Sequence, residues 1–403
     1  MNILFLTLSR ITDISKRGIY SDLIRKFGSE GHNVFVVSPY ERKYKQPTQL
    51  ITIDRIKLLK IKSLNIQKTN IIEKGVGTVL LEYQFIFAIK KYFKNIEFDL
   101  LIYSTPPITF TKVLSYYKRN RKTVTYLLLK DIFPQNAIDL GLMRENGIIH
   151  RFFRKKEQNL YRLSDFIGCM SPANISYLLE KNPSINTTVV EVNPNSVEPL
   201  LKKYVSEKQK AEIRKKFKIP SDRTIFIYGG NIGKPQGIDF LIQTLDSNRN
   251  NSNAFFVVVG SGTEFPRVKE WYTKNKPNNI IVIDGLPKEE YDKLVTVCDV
   301  GMIFLDPRFT IPNFPSRLLS YIEIGKPIIA ATDTNTDIGS IAEINKFGFW
   351  CKSGDLKQMN INIKRFADNQ ELIEEMGNNG YNYFLENYTT DHSFQKIIKH
   401  FKA

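Results

Sequence analysis

The residues best placed to do chemistry lie in Ile225-Phe-Ile-Tyr-Gly-Gly-Asn-Ile-Gly-Lys-Pro-Gln-Gly237, where an apolar run feeds a glycine-rich turn. Gly229, Gly230 and Gly233 let the backbone come close to a ligand, and the N–H groups of the turn and of the following helix can hold a phosphate. Lys234 adds a cation within the turn. The same pattern also serves as an ordinary tight strand-to-helix turn. Further on, the polar, proline-containing Phe309–Ser316 loop leads into a helix for which Ser316 is the expected N-cap. Such an N-terminus suits a diphosphate, with Arg317 either supplying a direct positive charge or lying on a solvated face. In the first half, Lys130 and Asp131 follow an apolar run and precede Pro134. Asp131 can act as a base or a ligand for a hydroxyl, or cap a helix. His32 reads as structural and His150 lies on a basic helix, so neither is a strong base. Asp333, Asp337 and Asp355 are scattered and there is no Asp-x-Asp at a strand end. No metal site is expected, and backbone dipoles with Lys or Arg would stabilise a bound diphosphate.

These groups need elements to position them. Asn2–Leu8, Val34–Val37, Asp99–Tyr103, Thr123–Leu129 and Phe166–Met170 read as buried strands. Helices are expected at Tyr20–Ser29, Thr78–Phe93, Thr109–Arg119, Asn146–Leu163 and Pro172–Glu180. After Val192–Pro199, which reads as a linker, the alternation restarts. Strands fit Thr224–Tyr228, Ala254–Val259, Asn279–Ile283, Val300–Phe304 and Pro327–Ala331. Helices fit Glu207–Phe217, Gly237–Leu245, Pro266–Asn275, Glu289–Val297, Ser316–Ile324 and Leu372–Glu386. The fold class is α/β, with two Rossmann-like parallel-sheet domains and ligands in a cleft between them.

The 403 residues are 42% hydrophobic and 25% charged, as in a globular protein with real cores. No run reaches the ~18–20 apolar residues of a membrane span, and the start does not read as a secretory signal. Cys169, Cys298 and Cys351 lack metal-type spacing and read as reduced, buried thiols of a cytoplasmic protein. Of the formal charge of +17, residues 1–193 carry 30 Lys and Arg against 16 Asp and Glu. That half should face something anionic. Arg151, Arg154, Lys155 and Lys156, on the amphipathic segment Ile148–Arg162, are candidates for an anionic membrane surface or acceptor, or lie outward on a helix packed on the sheet. Tyr116–Lys122 and Lys57–Lys68 add aromatic and basic residues.

The chain resembles the GT-B glycosyltransferases of family 4, of the bacterial O-antigen and capsular polysaccharide type. The resemblance rests on Gly18–Gly31 with Glu30-Gly-His-Asn-Val34, on Lys130-Asp-Ile-Phe-Pro134, on the Gly229–Gly237 turn, and on Pro315-Ser-Arg-Leu-Leu-Ser-Tyr321 before Gly325-Lys-Pro327. It implies an acceptor-binding domain at 1–193, a nucleotide-sugar domain at 194–380, and a C-terminal helix at 381–403 returning to the first. It implies retaining transfer from a nucleotide diphosphate sugar, a UDP-sugar, to a lipid-linked saccharide, without metal or other cofactor, at the inner face of the plasma membrane. Donor-site residues would be Gly18, Gly230, Asn231, Gly233, Lys234, Leu286 at the base, Ser316, Arg317 and Ser320. The family's Arg and Lys of the glycine-rich turn fall at Asn231 and Gln236, so Lys234 and Arg317 would take over. The family's two glutamates fall at Pro312 and Ser320, so ribose binding must differ. Two other classes compete: a basic nucleic-acid-binding protein, disfavoured by the lack of a recognition motif, and a GT-B scaffold without activity. The oligomeric state is not legible.

Overall fold

Residues 3–6 are apolar and fully buried, as a strand covered on both faces requires. They begin the first of two compact units in a computed structural model that describes residues 1–66, 71–120, 123–200 and 206–401. Unit 1 is Met1–Glu198 with Thr389–Ala403, and unit 2 is Pro199–Tyr388.

Unit 1 runs β1 (Asn2–Leu6), α1 (Ile19–Ser29), β2 (Asn33–Glu41), β3 (Gln49–Ile53), β4 (Ile56–Ser63), α2 (Ile71–Tyr92), β5 (Leu100–Ser104), α3 (Thr111–Asn120), β6 (Val124–Leu129), α4 (Gln135–Asp139), α5 (Ile148–Leu163), β7 (Phe166–Cys169), α6 (Pro172–Lys181) and β8 (Val190–Val192). The sheet order is β3-β4-β2-β1-β5-β6-β7-β8, parallel except where β3 turns back on β4. Alternate strand residues feed two cores. Leu4, Leu6, Tyr103 and Leu129 pack with Phe85, Ile89, Leu114 and Leu160 of α2, α3 and α5. Ile3, Phe5 and Ile102 pack with Ile24 and Phe27 of α1.

Unit 2 runs α7 (Glu207–Phe217), β9 (Thr224–Asn231), α8 (Ile238–Ser247), β10 (Ala254–Ser261), α9 (Phe265–Asn275), β11 (Ile280–Asp284), α10 (Lys288–Thr296), β12 (Val300–Phe304), α11 (Arg317–Ile322), β13 (Ile328–Thr332), α12 (Ile338–Ile344), β14 (Gly348–Lys352), α13 (Leu356–Ala367) and α14 (Gln370–Asn387). Its sheet is β11-β10-β9-β12-β13-β14, all parallel. The winding reverses beside β9, whose neighbours are β10 and β12, and in such sheets the crevice at that point takes the ligand. A last helix, α15 (Thr390–Ile398), belongs to unit 1 and places Phe394, Ile397 and Ile398 in the core against α1.

Two boundaries differ from the sequence reading. The units divide at Glu198/Pro199 rather than 193/194, and at Tyr388/Thr389 rather than 380/381. The Val192–Pro199 segment is not a free linker. Asn193 is fully buried, its N–H bonds the Cys169 carbonyl at 2.8 Å, and Val197 bridges to Thr389. All three cysteines are free and buried.

Candidate functional site

In unit 2 the carboxyl ends of β9, β10 and β11 form one row, with Gly260 in register with Gly230 on one side and Asp284 on the other. The glycines of the turn after β9 divide into packing and open positions. A Cβ on Gly229 would meet the Tyr291 ring at 2.4 Å, and one on Gly237, at φ +56, would meet the Leu305 carbonyl at 2.6 Å. These two are small so that protein can pack against them. Gly230, at φ +114, would meet only Arg317 Nη2, at 3.9 Å, so its exposed face is the one open to a ligand. Gly233 has ordinary extended geometry, φ −125, and does not need to be glycine for its backbone.

Arg317 reaches back over this turn from α11. Its Nη2 donates to the Gln236 Oε1 at 2.6 Å and to the Asn231 carbonyl at 3.3 Å. The guanidinium lies 4.5 Å from the centre of the Tyr228 ring, a cation–π contact. Nη1 is buried with no hydrogen-bond partner. Beneath, the Tyr321 hydroxyl accepts from the Gly229 N–H at 3.2 Å and contacts the Ile227 carbonyl at 3.3 Å. Burial pushes the Tyr321 hydroxyl up to about 12, so it stays protonated. Gly230, Asn231 and Arg317 are thus brought together, and Lys234 stands exposed in the same turn. Leu286 is half-buried in the turn after β11, where the Gly285 N–H bonds the Gly260 carbonyl at 3.0 Å.

One expectation is corrected here. Ser316 is not an N-cap: it has helical φ and ψ, and its side chain makes no capping bond. Gln236, at the position of a family cation, holds Arg317 through its Oε1. At the two positions of the family glutamates, Ser320 is half-buried a turn along α11 and Pro312 is buried. The nearby carboxylate is Asp306, chelated by Arg308 Nε and Nη2, both at 2.8 Å. Gly260-Ser-Gly262, at the end of β10, is a further part of this row, and its two glycines behind an apolar run are the signal for it. A Cβ on Gly262 would meet the Ile232 carbonyl at 2.3 Å.

In unit 1, Lys130 and Asp131 leave the end of β6. The Thr105 hydroxyl oxygen accepts from both N–H groups, at 3.0 and 3.2 Å. The two side chains have different partners. Lys130 Nζ donates to the Asn193 carbonyl at 2.9 Å, and burial lowers its pKa to about 7. Asp131 caps no helix. Its oxygens accept from Asn136 Nδ2 at 2.8 and 3.0 Å, and burial, opposed by the Ile132 N–H and Asn136, raises its pKa to about 6. Gly18 has φ 174, extended backbone open to any residue, and only Ser21 Oγ lies within 4 Å of its Cβ position, at 3.9 Å. His32 lies beside Phe394 and the N-terminal amine, and His150 accepts from the Asn146 N–H.

The four cations of α5 do not share one surface. Arg154 turns inward to Glu157 at 2.5 Å, to the Lys181 carbonyl at 2.8 Å and to Asn182 at 2.9 Å. Lys156 pairs with the buried Glu82 at 3.0 Å. Arg151 and Lys155 alone of the four are exposed. Among the described residues, no three His, Cys, Asp or Glu gather as metal ligands. Lys68, Arg121 and Lys122 lie outside the described residues.

Residues 209–383 match the family model Glycosyl transferases group 1. The chain is similar to WbjE of Pseudomonas aeruginosa, named as a glycosyltransferase, at 22% identity over 72% of this chain and 70% of that one. It is also similar to WcaI of Escherichia coli K12, named as a colanic acid biosynthesis glycosyl transferase, at 21% identity over 54% of each. Among solved structures, HepE of Anabaena in complex with UDP superposes with a TM-score of 0.69, at 16% identity, over 100% of this chain and 99% of that one. The chain is a glycosyltransferase, with a Glycosyl transferases group 1 domain at residues 209–383 and a fold of the GT-B type.

Proposed function

We propose that this enzyme transfers a sugar, with retention of anomeric configuration and without a metal ion, from a UDP-sugar to a lipid-linked saccharide in the assembly of a bacterial surface polysaccharide. The observation that carries the donor reading is Arg317. A guanidinium held by Gln236 and Tyr228 over the open face of Gly230, with Nη1 buried and unpartnered, is preorganised for an anion, and a guanidinium suits a phosphate. In this reading Arg317 and Lys234 hold the diphosphate and neutralise charge that grows on it as the sugar leaves. Gly230 admits the diphosphate and Leu286 borders the base. Asp131, held near the range where it serves as base or hydroxyl ligand, receives the acceptor. HepE bound to UDP supports the nucleotide, and the name of WcaI supports the polysaccharide. The enzyme works in this reading on the cytoplasmic face of the plasma membrane.

Calorimetric titration tests the donor. UDP binds with an affinity unchanged by EDTA, while ADP and GDP bind more weakly. Absence of heat with all three nucleotides sinks the reading. Proton NMR of the first-formed product, showing the anomer of the donor, tests retention.

A further inference from the structure

Helix α2 is apolar on both sides. Leu81, Phe85 and Ile89 enter the core. Val76, Val79, Leu80, Tyr83 and Phe87 are exposed, Phe87 by 68%. At 100° per residue these five fall on one stripe about 100° wide. The sole charge between Gly75 and Ile89 is Glu82, which is buried against Lys156 at 3.0 Å. That ion pair brings α5 beside α2, and the first turns of α5 expose Ile148 by 88%, Ile149 by 64% and Phe152 by 44%. A helix with an apolar outer stripe is normally covered. Among the described residues, however, no helix is long and apolar enough to cross a membrane.

What flanks the stripe names its cover. The Lys112 amine lies 3.8 Å from the centre of the Tyr83 ring. It opens a groove of about 680 Å³ between α2, α3 and α5, with Arg119, Lys156 and Arg162 in its wall and no acidic lining residue. Exposed Lys90, Lys91, Arg151 and Lys155 extend the positive rim. An apolar stripe bordered by cations complements an anionic bilayer, with the side chains among the acyl chains and the ammonium and guanidinium groups at headgroup depth.

We propose that the outer face of α2, with the first turns of α5, is a membrane-docking surface that lies in the plane of an anionic bilayer. It deepens the lipid-linked acceptor reading and is tested without turnover, so the two can fail separately. Full-length protein is sedimented with vesicles of phosphatidylcholine and phosphatidylglycerol, 7:3, and with phosphatidylcholine alone. The wild type sediments with the mixed vesicles, at least tenfold less with the neutral ones, and keeps a fraction bound in high salt. L80E/F87E lowers sedimentation at least tenfold while keeping its UDP titration and melting temperature. In a second variant, Phe87→Trp, emission shifts to the blue on the mixed vesicles and is quenched by brominated acyl chains. Sedimentation of L80E/F87E equal to wild type, or a Phe87→Trp spectrum unmoved by vesicles, overturns the proposal. So does a wild type that ignores vesicles but self-associates in the ultracentrifuge until L80E/F87E makes it monomeric, since the cover is then a second copy.

Discussion

A guanidinium with one nitrogen paired and another buried without a partner is costly to keep empty, because an unmet buried donor forfeits about 1–3 kcal/mol. Arg317 therefore gives the sharpest test of the donor site. Arg317→Lys, which keeps the charge but loses the planar fork, is expected to weaken UDP binding about 10-fold, or ~1.4 kcal/mol. Gln236→Ala is expected to weaken it by a similar factor with Arg317 intact. Calorimetry reads both, and an unchanged Gln236→Ala shows that Arg317 needs no holder. Lys130 and Asp131 give opposite pH signatures. Burial raises the Asp131 carboxyl to about 6, so its contribution to stability is full below its unfolded value, ~3.9, and is lost as the pH rises through 6. Burial lowers the Lys130 amine to about 7. Between there and its unfolded value, ~10.4, the unfolded chain binds more protons and stability rises with pH. Thermal melts should show Asp131→Asn gaining on wild type between pH 4 and 6, and Lys130→Met losing the rise above pH 7. At this scale the sequence displayed the motifs that carry the candidate groups. Gly230 and Lys130-Asp131 stand in short motifs at strand ends, and Arg317 at the start of α11. It did not display their partners, because Arg317 and Gln236 lie 81 positions apart and the contact follows from the register of β9 and β12.

Elements with a strong period were legible, and those whose pattern is mixed were not. Val300–Phe304 and Glu207–Phe217 fall as expected, since one is an unbroken apolar run and the other begins with a Ser206–Gln209 capping box. Strand β4 reads Ile-Lys-Leu-Leu-Lys-Ile-Lys-Ser and hides among its lysines: Lys57 and Lys60 are half-buried and Lys62 exposed, while Ile56, Leu58, Leu59 and Ile61 are buried. Strand β14 and helix α12 escaped because their patterns are short, and α13 escaped although Gly354 and its N-cap Asp355 mark its start. Helix α5 shows how a basic pattern divides. Arg154 neutralises Glu157, which is almost wholly buried. Arg154→Met strands that carboxylate and should cost ~3 kcal/mol, whereas Arg151→Met or Lys155→Met should change stability by less than about 0.5 kcal/mol. Urea titrations of the three variants check this. Similar midpoints for all three would mean that Arg154 contributes no more than a surface charge.

On the scale of the whole molecule, the first unit is built from two stretches of chain. Its core needs Phe394, whose ring meets Phe27 edge-on at 5.0 Å, and Lys26 pairs with Asp391 across the same contact. Phe394→Ala should lower stability by about 3–4 kcal/mol. Calorimetric melts resolved into two transitions should show the change in one alone; an equal shift in both would mean that the units melt as a single block. The uneven charge is a property at this scale too. The surplus of cations in residues 1–193 was readable from the rows of the sequence, but the apolar stripe of α2 was not distinguishable there from a core helix, because burial is decided by what the sheet leaves uncovered.

The two-stretch construction also fixes an order of events during synthesis. The strands of the first unit leave the ribosome early, yet the helix that closes their core is encoded at residues 390–398. At ~5–20 residues per second, the first unit waits on the order of 10–40 s for its last piece. In that interval the second unit, continuous in the chain, is being made and can begin to fold, and the α1 face that will receive Phe394, Ile397 and Ile398 stays open. The part made first is finished last, and a nascent-chain chaperone would find its substrate there.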